Sequence, residues 1–475
     1  MKFAKYLPQF GITPVVLTTD EASFRQVMSG HPIDVKLLED LPAGLPIERI
    51  ACPRAHPEAT TKFGEWRRIF FSLVEEQGKY WRSELRRELP RLLQKHQPKV
   101  IYVSLPPFSM GPLWLELSRQ AQLPLMLDFR DGWTQWRISP YGTWLHYQLA
   151  VRLERRCLGG ARRVICTSEQ TRRDFLRVHP GIPPEKITVI TNGYDHDISD
   201  WSLSEAIGPG REAFHRVPAL AGSQGRGGTR PYLPEELDRD GPVASGCHCI
   251  ASRPFTIGYV GNFYYSPTAR GAMLKPWWRK RPNRMIQYAP RKEDWLYRSP
   301  YFFFRAVARL LADQPDLRAR LRMRFAGNKP DWIDAQAAQF GLGGMVEFLG
   351  YLDHPSVLAF QQECDCLLVT SSKVIGGQDY SIAGKTFEYF SLRKPILGFV
   401  TEGAQKDILV QSGLAVICDP DSPAESARKL DDLISGRIRL QPNAAFLKTL
   451  HRRELTRKLA DVLRDAALCP LPSAT

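Results

Sequence analysis

Short β-branched runs alternate along the chain with stretches of helical spacing ten or more residues long, the pattern that βαβ units leave when they build a parallel sheet. The apolar runs at 14–19 (PVVLTT), 99–104 (KVIYVS), 123–128 (LPLMLD), 163–167 (RVICT) and 186–191 (KITVIT) predict strands. Apolar positions at helical spacing predict helices over 62–95, 110–121, 141–158 and 168–178, the last opened by Ser168 and Glu169. Together they predict a doubly wound domain over about residues 1–195. One feature departs from that plan: residues 1–10 read as a helix running straight into PVVLTT, so the first strand that normally opens such a domain is wanting. The expectation is a start placed too late, or a form that lacks part of its site.

Residues 196–252 are rich in Gly, Pro, Ser and charge without periodicity and read as a flexible linker or insertion. A second alternating series then runs through 255–260 (FTIGYV), 320–326, 345–349, 365–370, 395–400 and 414–418, with helices expected at 301–313, 331–341, 355–363, 383–392, 404–411 and 423–435. This predicts a second α/β domain over about 253–436, followed by a helical tail, 437–475. No repeat of fixed period is visible, which excludes solenoids and propellers.

A chain of 475 residues exceeds what one core organises, in keeping with two domains. Apolar residues at 43% and charged residues at 24% exclude a disordered or fibrous chain. The 65 Lys and Arg outweigh 50 Asp and Glu, and a net charge of +15 points to an anionic partner: nucleic acid, acidic membrane or phosphate-bearing substrate. No run reaches the roughly eighteen apolar residues of a membrane span. Pro8, Gly11 and Pro14 interrupt any secretory core near the start. Nine cysteines lack paired C-x-x-C spacing, so no zinc site is expected and a cytoplasmic location fits best. Cys364 and Cys366 read as one face of a buried strand, and Cys247-His248-Cys249 as a loop in which metal binding is the minor reading.

In open parallel sheets ligands bind beyond the carboxyl ends of the strands, so those ends hold the candidates. After FTIGYV come Gly261 and Asn262, where the glycine lets backbone approach a ligand. After LPLMLD, Asp128, Arg130 and Asp131 place two carboxylates and a guanidinium at one strand end; a structural Arg–Asp pair is the alternative. After 365–370, a loop with Gly376, Gly377, Asp379 and Tyr380 leads into a helix opened by Gly384 and Lys385, with Glu388 one turn on. A helix start with a lysine in its first turn suits a diphosphate. The spacing is not that of a Walker A loop.

The run FTIGYVGNFYY, then RFAGNKPDWIDAQAAQFGLGGMVEFLGYLDHPSVLAFQQECDCLLVTS, YSIAGKTFEYFSLRKPIL and GLAVICDPDSPAESA, resembles the nucleotide-sugar domain of retaining GT-B glycosyltransferases of family 4. FAKYLPQFGITPVVLTT, LDFRDGWT and ICTSEQTRRDFLRVHPGIPPEKITVITNGYD resemble parts of its acceptor domain. The resemblance implies an α/β GT-B fold, with two Rossmann-like domains facing a cleft, and transfer of a sugar from a nucleotide-diphosphate donor to a hydroxyl with retention. It implies no cofactor and no metal. By the same resemblance Lys385 contacts the donor phosphates and Glu388 the ribose.

Three positions depart from the family pattern. Its first Glu falls at Tyr380, so the sugar contact passes to Asp379 or to the amides of Gly376 and Gly377. Its usual arginine after the first glycine is replaced by Asn262, with Arg298 as the substitute. A histidine common at the acceptor-side strand end is replaced by Asp131, assigned to acceptor positioning beside Asp128 and Arg130.

The loop 266–297 concentrates the charge: residues 270–298 hold nine Lys or Arg against Glu293 and Asp294, interleaved with Trp277, Trp278, Tyr288, Trp295 and Tyr297. Leaving a strand at its carboxyl end, it is expected to overhang the cleft. Substrate phosphate or an anionic membrane surface is favoured over nucleic acid. A second basic and aromatic stretch, Phe63 to Arg91, reads as a membrane-docking helix or as a core helix with a solvated basic face. The leading expectation is a sugar transferase at the cytoplasmic membrane face, acting on a glycan or lipid-linked acceptor in polysaccharide or glycolipid synthesis. A GT-B-fold protein that binds without transferring is the alternative, and nucleic-acid binding a third.

Overall fold

The computed structural model describes residues 2–27, 41–52, 77–136, 140–195, 253–280 and 285–468. The predicted linker 196–252, Cys247 and Cys249, and residues 63–76 of the basic stretch lie outside them. Two α/β units are present. The first contains β1 (Val16–Thr19), β2 (Ile47–Ile50), β3 (Ile101–Leu105), β4 (Leu125–Phe129), β5 (Arg163–Cys166) and β6 (Ile187–Val189). All pairings are parallel, in the order β3-β4-β5-β6, while β1 and β2 form a separate pair. Among the described residues no strand joins the β1-β2 pair to the sheet of β3 to β6. β2 was not anticipated: IERI alternates too briefly to stand out from its polar surroundings.

The second unit contains β7 (Phe255–Val260), β8 (Lys292–Asp294), β9 (Leu321–Ala326), β10 (Val346–Phe348), β11 (Cys366–Thr370), β12 (Lys373–Ile375), β13 (Ile396–Phe399) and β14 (Ala415–Cys418). Its main sheet is parallel throughout, in the order β10-β9-β7-β11-β13-β14. The chain reverses direction on either side of β7, so the ends of β7 and β11 flank a switch point, where such sheets bind ligands. β4 is buried at every position, as a strand covered on both faces must be.

Three expectations are refined. Cys364 and Cys366 do not share a strand face: Cys364 ends the helix His354–Glu363 and packs with Leu367 and Val369, while Cys366 starts β11 and packs with Leu368 on the opposite side. Within Phe63 to Arg91, the described helix Gln77–His96 turns Trp81, Leu85, Leu89 and Leu92 into the first core, so its apolar face is spent inside the protein. The tail is two helices with different allegiances. Ala444–Thr449 packs on the second unit, whereas Leu455, Leu459 and Leu463 of Arg452–Leu468 join Met126, Ile165 and Ile190 of the first. The two crossings lie side by side, with the Tyr194 amide donating to Leu450 O and the Arg452 amide to Tyr194 O.

Candidate active site

At the end of β7 the chain turns through Gly261 at φ +107, a backbone state that side chains disfavour. Lys385 Nζ stands beside this turn, 3.5 Å from where a Cβ of residue 261 would lie, an ordinary contact distance. Lys385 stands in the first turn of the helix Gly384–Ser391, which has no side-chain cap, so its leading amides remain available to an anion. Lys385 Nζ lies 3.4 Å from the centre of the Tyr259 ring, a cation–π contact. Loss of water around the ammonium pulls its pKa well below the ordinary lysine value, and the charge of Glu388 one turn along partly opposes this. Asn262 joins the ends of β7 and β9: its carbonyl accepts from Tyr259 Oη at 3.0 Å and its Oδ1 from the Asn328 amide at 3.1 Å.

The loop after β11 is organised by Asp379. Its buried carboxylate accepts from the amides of Ser372 and Ser381 and from Ser381 Oγ, at 3.2, 3.0 and 2.8 Å. Those donors turn the carboxylate into its own loop. Arg298 ends a single 3₁₀ turn, Trp295–Arg298, and rests 3.4 Å from both Ser372 Oγ and Ser381 Oγ. Gly376, at φ +74, makes the turn after β12. Gly377 follows it, close to the Arg291 guanidinium.

The first unit supplies the facing wall. Asp128 is buried and paired with Arg130, whose Nε donates to it at 2.8 Å, and Tyr102 Oη also donates to it. Arg130 reaches on to Ile190 O at 3.1 Å. Of the alternatives open at this strand end, Asp128 and Arg130 take the structural one. Asp131 differs: it is exposed at the strand end and its carboxylate accepts no hydrogen bond from the described residues. Burial of its surroundings pushes its pKa up, while Arg130 and, from the opposite unit, Arg298 pull it down. The charge of Arg298 is therefore felt at Asp131 from the opposite unit.

Five residues along, Trp136 folds back over Gly132, where a Cβ would lie 2.1 Å from Trp136 Cδ1. The Trp136 ring meets Tyr380 with centres 3.9 Å apart, its Nε1 donates to Asp174 Oδ2 at 3.0 Å, and the Arg291 guanidinium lies over it at 4.2 Å. Arg291 also pairs with Asp174. Behind this loop the buried Glu154 accepts from the amide and hydroxyl of Thr134, at 3.0 and 2.6 Å, and contacts His179 Nε2 at 2.7 Å.

The basic loop is more ordered than its composition suggested. It carries the helix Pro267–Leu274 and β8, which pairs antiparallel with β12. It crosses to the first unit, where Tyr288 and Tyr141 exchange backbone hydrogen bonds at 2.8 and 3.0 Å. Arg270 is occupied by Asp294, at 2.6 and 2.7 Å. Trp136 went unrecognised as a cleft residue, Arg291 was expected there only as one cation of the overhanging loop, and Glu293 was not singled out. In the sequence Glu293 was only an acid offsetting nearby cations, and nothing local revealed that β8 pairs with a strand some eighty residues on.

The sequence family described as "Glycosyl transferase 4-like domain" matches residues 1–193, and that described as "Glycosyl transferases group 1" matches residues 301–445. Among curated proteins none matches. Among solved structures, HepE of Anabaena in complex with UDP aligns at a TM-score of 0.50 and 13% identity, over 96% of this chain and 100% of that one. The same protein with UDP and glucose aligns at 0.50 and 14%, over 94% and 99%. Neighbours of such low identity speak to the fold, and the family matches, in chain order over both units, to the chemistry: the chain is a glycosyltransferase of the GT-B fold.

Proposed function

We propose that the protein transfers a sugar from a nucleotide-diphosphate donor to a hydroxyl of a glycan or lipid-linked acceptor, with retention at the anomeric carbon. The observation that carries this reading is the desolvated Lys385 ammonium, set against Gly261 and the uncapped start of the helix Gly384–Ser391. A departing diphosphate develops negative charge, and fixed cations with oriented amides stabilise it without reorganising. Lys385 and Arg298 meet the phosphates and Glu388 the ribose. These cations do the work a divalent ion would otherwise do, so chelators leave the rate unchanged. Asp131, opposite them and without a hydrogen-bond partner among the described residues, receives the acceptor hydroxyl, and Asp379 positions the loop. Purified protein incubated with a panel of nucleotide sugars is expected to bind and turn over at least one of them. Failure with every member, or a Lys385→Ala variant equal to wild type, overturns the reading.

We further propose that it works at the cytoplasmic face of an anionic membrane. Among the described residues no helix is long and apolar enough to cross a bilayer. The helix Trp144–Gly160 exposes Trp144 and Leu145, each 57% exposed, with Leu149 one turn on and Arg152, Arg155 and Arg156 after them. Its only acid, Glu154, is buried. Exposed Ile286, two residues before the Tyr288 paired with Tyr141, adds an apolar side chain at the same edge. An apolar tip flanked by arginines suits the headgroup region of an anionic bilayer.

A further inference from the structure

We propose that Glu293, delivered by the inserted segment between β7 and the helix Tyr301–Asp313, is the carboxylate that recognises the hydroxyls of the transferred sugar. The inference rests on the donor-binding reading above and deepens it. If Lys385 and the start of its helix hold the diphosphate, the sugar extends from there toward Asp131, over the wall formed by Arg298, Asp379 and Tyr380. Two carboxylates on the donor side reach that wall. Asp379 is set aside, because it is buried and its carboxylate is turned into its own loop by the amides of Ser372 and Ser381 and the Ser381 hydroxyl. Tyr380 is excluded as an acceptor by its packing against Trp136. Glu293 remains. β8 pairs with β12 so that Glu293 stands opposite Val374, at the root of the Gly376-Gly377 turn. Its Oε2 lies 3.7 Å from Arg298 and accepts from Trp295 Nε1 at 2.9 Å, and Ser372 also bonds the carboxylate, whose remaining lone pairs are left for a ligand.

That setting fits sugar recognition. One carboxylate oxygen is anchored by an indole N–H, which fixes the plane of the group; burial raises its pKa and the nearby Arg298 partly opposes that rise. A carboxylate can accept from two neighbouring hydroxyls at once, and a hydroxyl that loses such an acceptor leaves a buried group unpaired, so discrimination follows. The insertion thereby restores an acid to the wall where the loop itself offers Tyr380.

The test compares binding of UDP and GDP with that of UDP-glucose, UDP-galactose and GDP-mannose to the full chain, by calorimetry. With Glu293→Gln and Glu293→Ala, the free diphosphates are expected to bind within twofold of wild type, while the preferred nucleotide sugar loses about tenfold or more. Thermal melting of both variants checks their folding, and Glu293→Asp is expected to recover part of the loss. Equal weakening of diphosphate and nucleotide sugar makes Glu293 merely structural, and no change in either removes it from the site. Both outcomes overturn the proposal while leaving the donor reading intact. A wild-type protein that binds none of the five probes overturns that reading and this proposal together.

Discussion

The ammonium of Lys385 stands 3.4 Å above the centre of the Tyr259 ring, a charge held against an aromatic face with little water to solvate it. Its pKa is therefore depressed in the folded, unliganded protein, whereas an unfolded lysine keeps its proton to about pH 10.4. Between those two values the unfolded chain binds more protons, so stability rises with pH across that window. A diphosphate restores the charged form. Binding of UDP in mildly alkaline buffer is expected to take up as much as about one proton, read from calorimetry in buffers of different ionisation enthalpy. In Lys385→Met the uptake disappears and affinity falls about 10- to 100-fold. Equal proton uptake by both proteins removes Lys385 from the phosphate site.

Asp131 presents a carboxylate without a donor among the described residues at the end of β4, with its pKa pushed up by burial. If it takes a hydrogen bond from the acceptor hydroxyl, kcat/KM falls as pH drops through that raised value, at a higher pH than an ordinary aspartate would give. Asp131→Asn is expected to lower kcat by at least tenfold and abolish the acid limb, with donor affinity kept. An unchanged acid limb in this variant assigns it to another group.

Both units and nearly every strand of the two main sheets were legible in the sequence, because buried parallel strands are written as short β-branched runs that little else imitates. The strand-end rule brought Gly261, Asp131, Asp379 and Lys385 into view for the same reason, and the family resemblance added Arg298. It could not separate a side chain that faces the cleft from one that builds it. Asp128 and Asp131 are three residues apart, yet one is locked to Arg130 and Tyr102 and the other is open. Asp379 looked like a ligand and is a loop brace, because its donors come from Ser372 and Ser381, a contact fixed by the turn and invisible to periodicity. Glu293 was hidden in a segment whose composition reads as solvated charge. Its role depends on β8 pairing with β12, which only the folded loop supplies.

Trp136 ties the units together, touching Tyr380 and Arg291 of the second while bonded to Asp174 of the first. The ring occupies the space over Gly132, so Gly132→Leu is expected to drive it out. Loss of the ring–ring contact alone is worth about 0.5–1.5 kcal/mol. Both Gly132→Leu and Trp136→Ala should widen the distribution of distances between labels placed one on each unit, and raise KM for donor and acceptor together. Label distances identical to wild type in both variants place the coupling elsewhere, in the Tyr141–Tyr288 backbone pair.

The exposed apolar edge on the helix Trp144–Gly160 makes a separable prediction, since none of its residues lines the donor site. Each large side chain that moves from water into the interface contributes up to about 1.5–3 kcal/mol, and each nearby arginine adds about 1 kcal/mol against an anionic surface. Wild-type protein is expected to sediment with vesicles containing phosphatidylglycerol and to bind them more weakly in high salt, because the arginine share is screened while the apolar share persists. Replacing Trp144, Leu145 and Leu149 together by Ser should cut partitioning by at least tenfold and leave UDP affinity unchanged. Replacing Arg152, Arg155 and Arg156 by Gln should remove the preference for anionic over neutral vesicles. Equal partitioning of wild type and both variants would dissociate this edge from the membrane, and the exposed tryptophan would then need a protein partner to cover it.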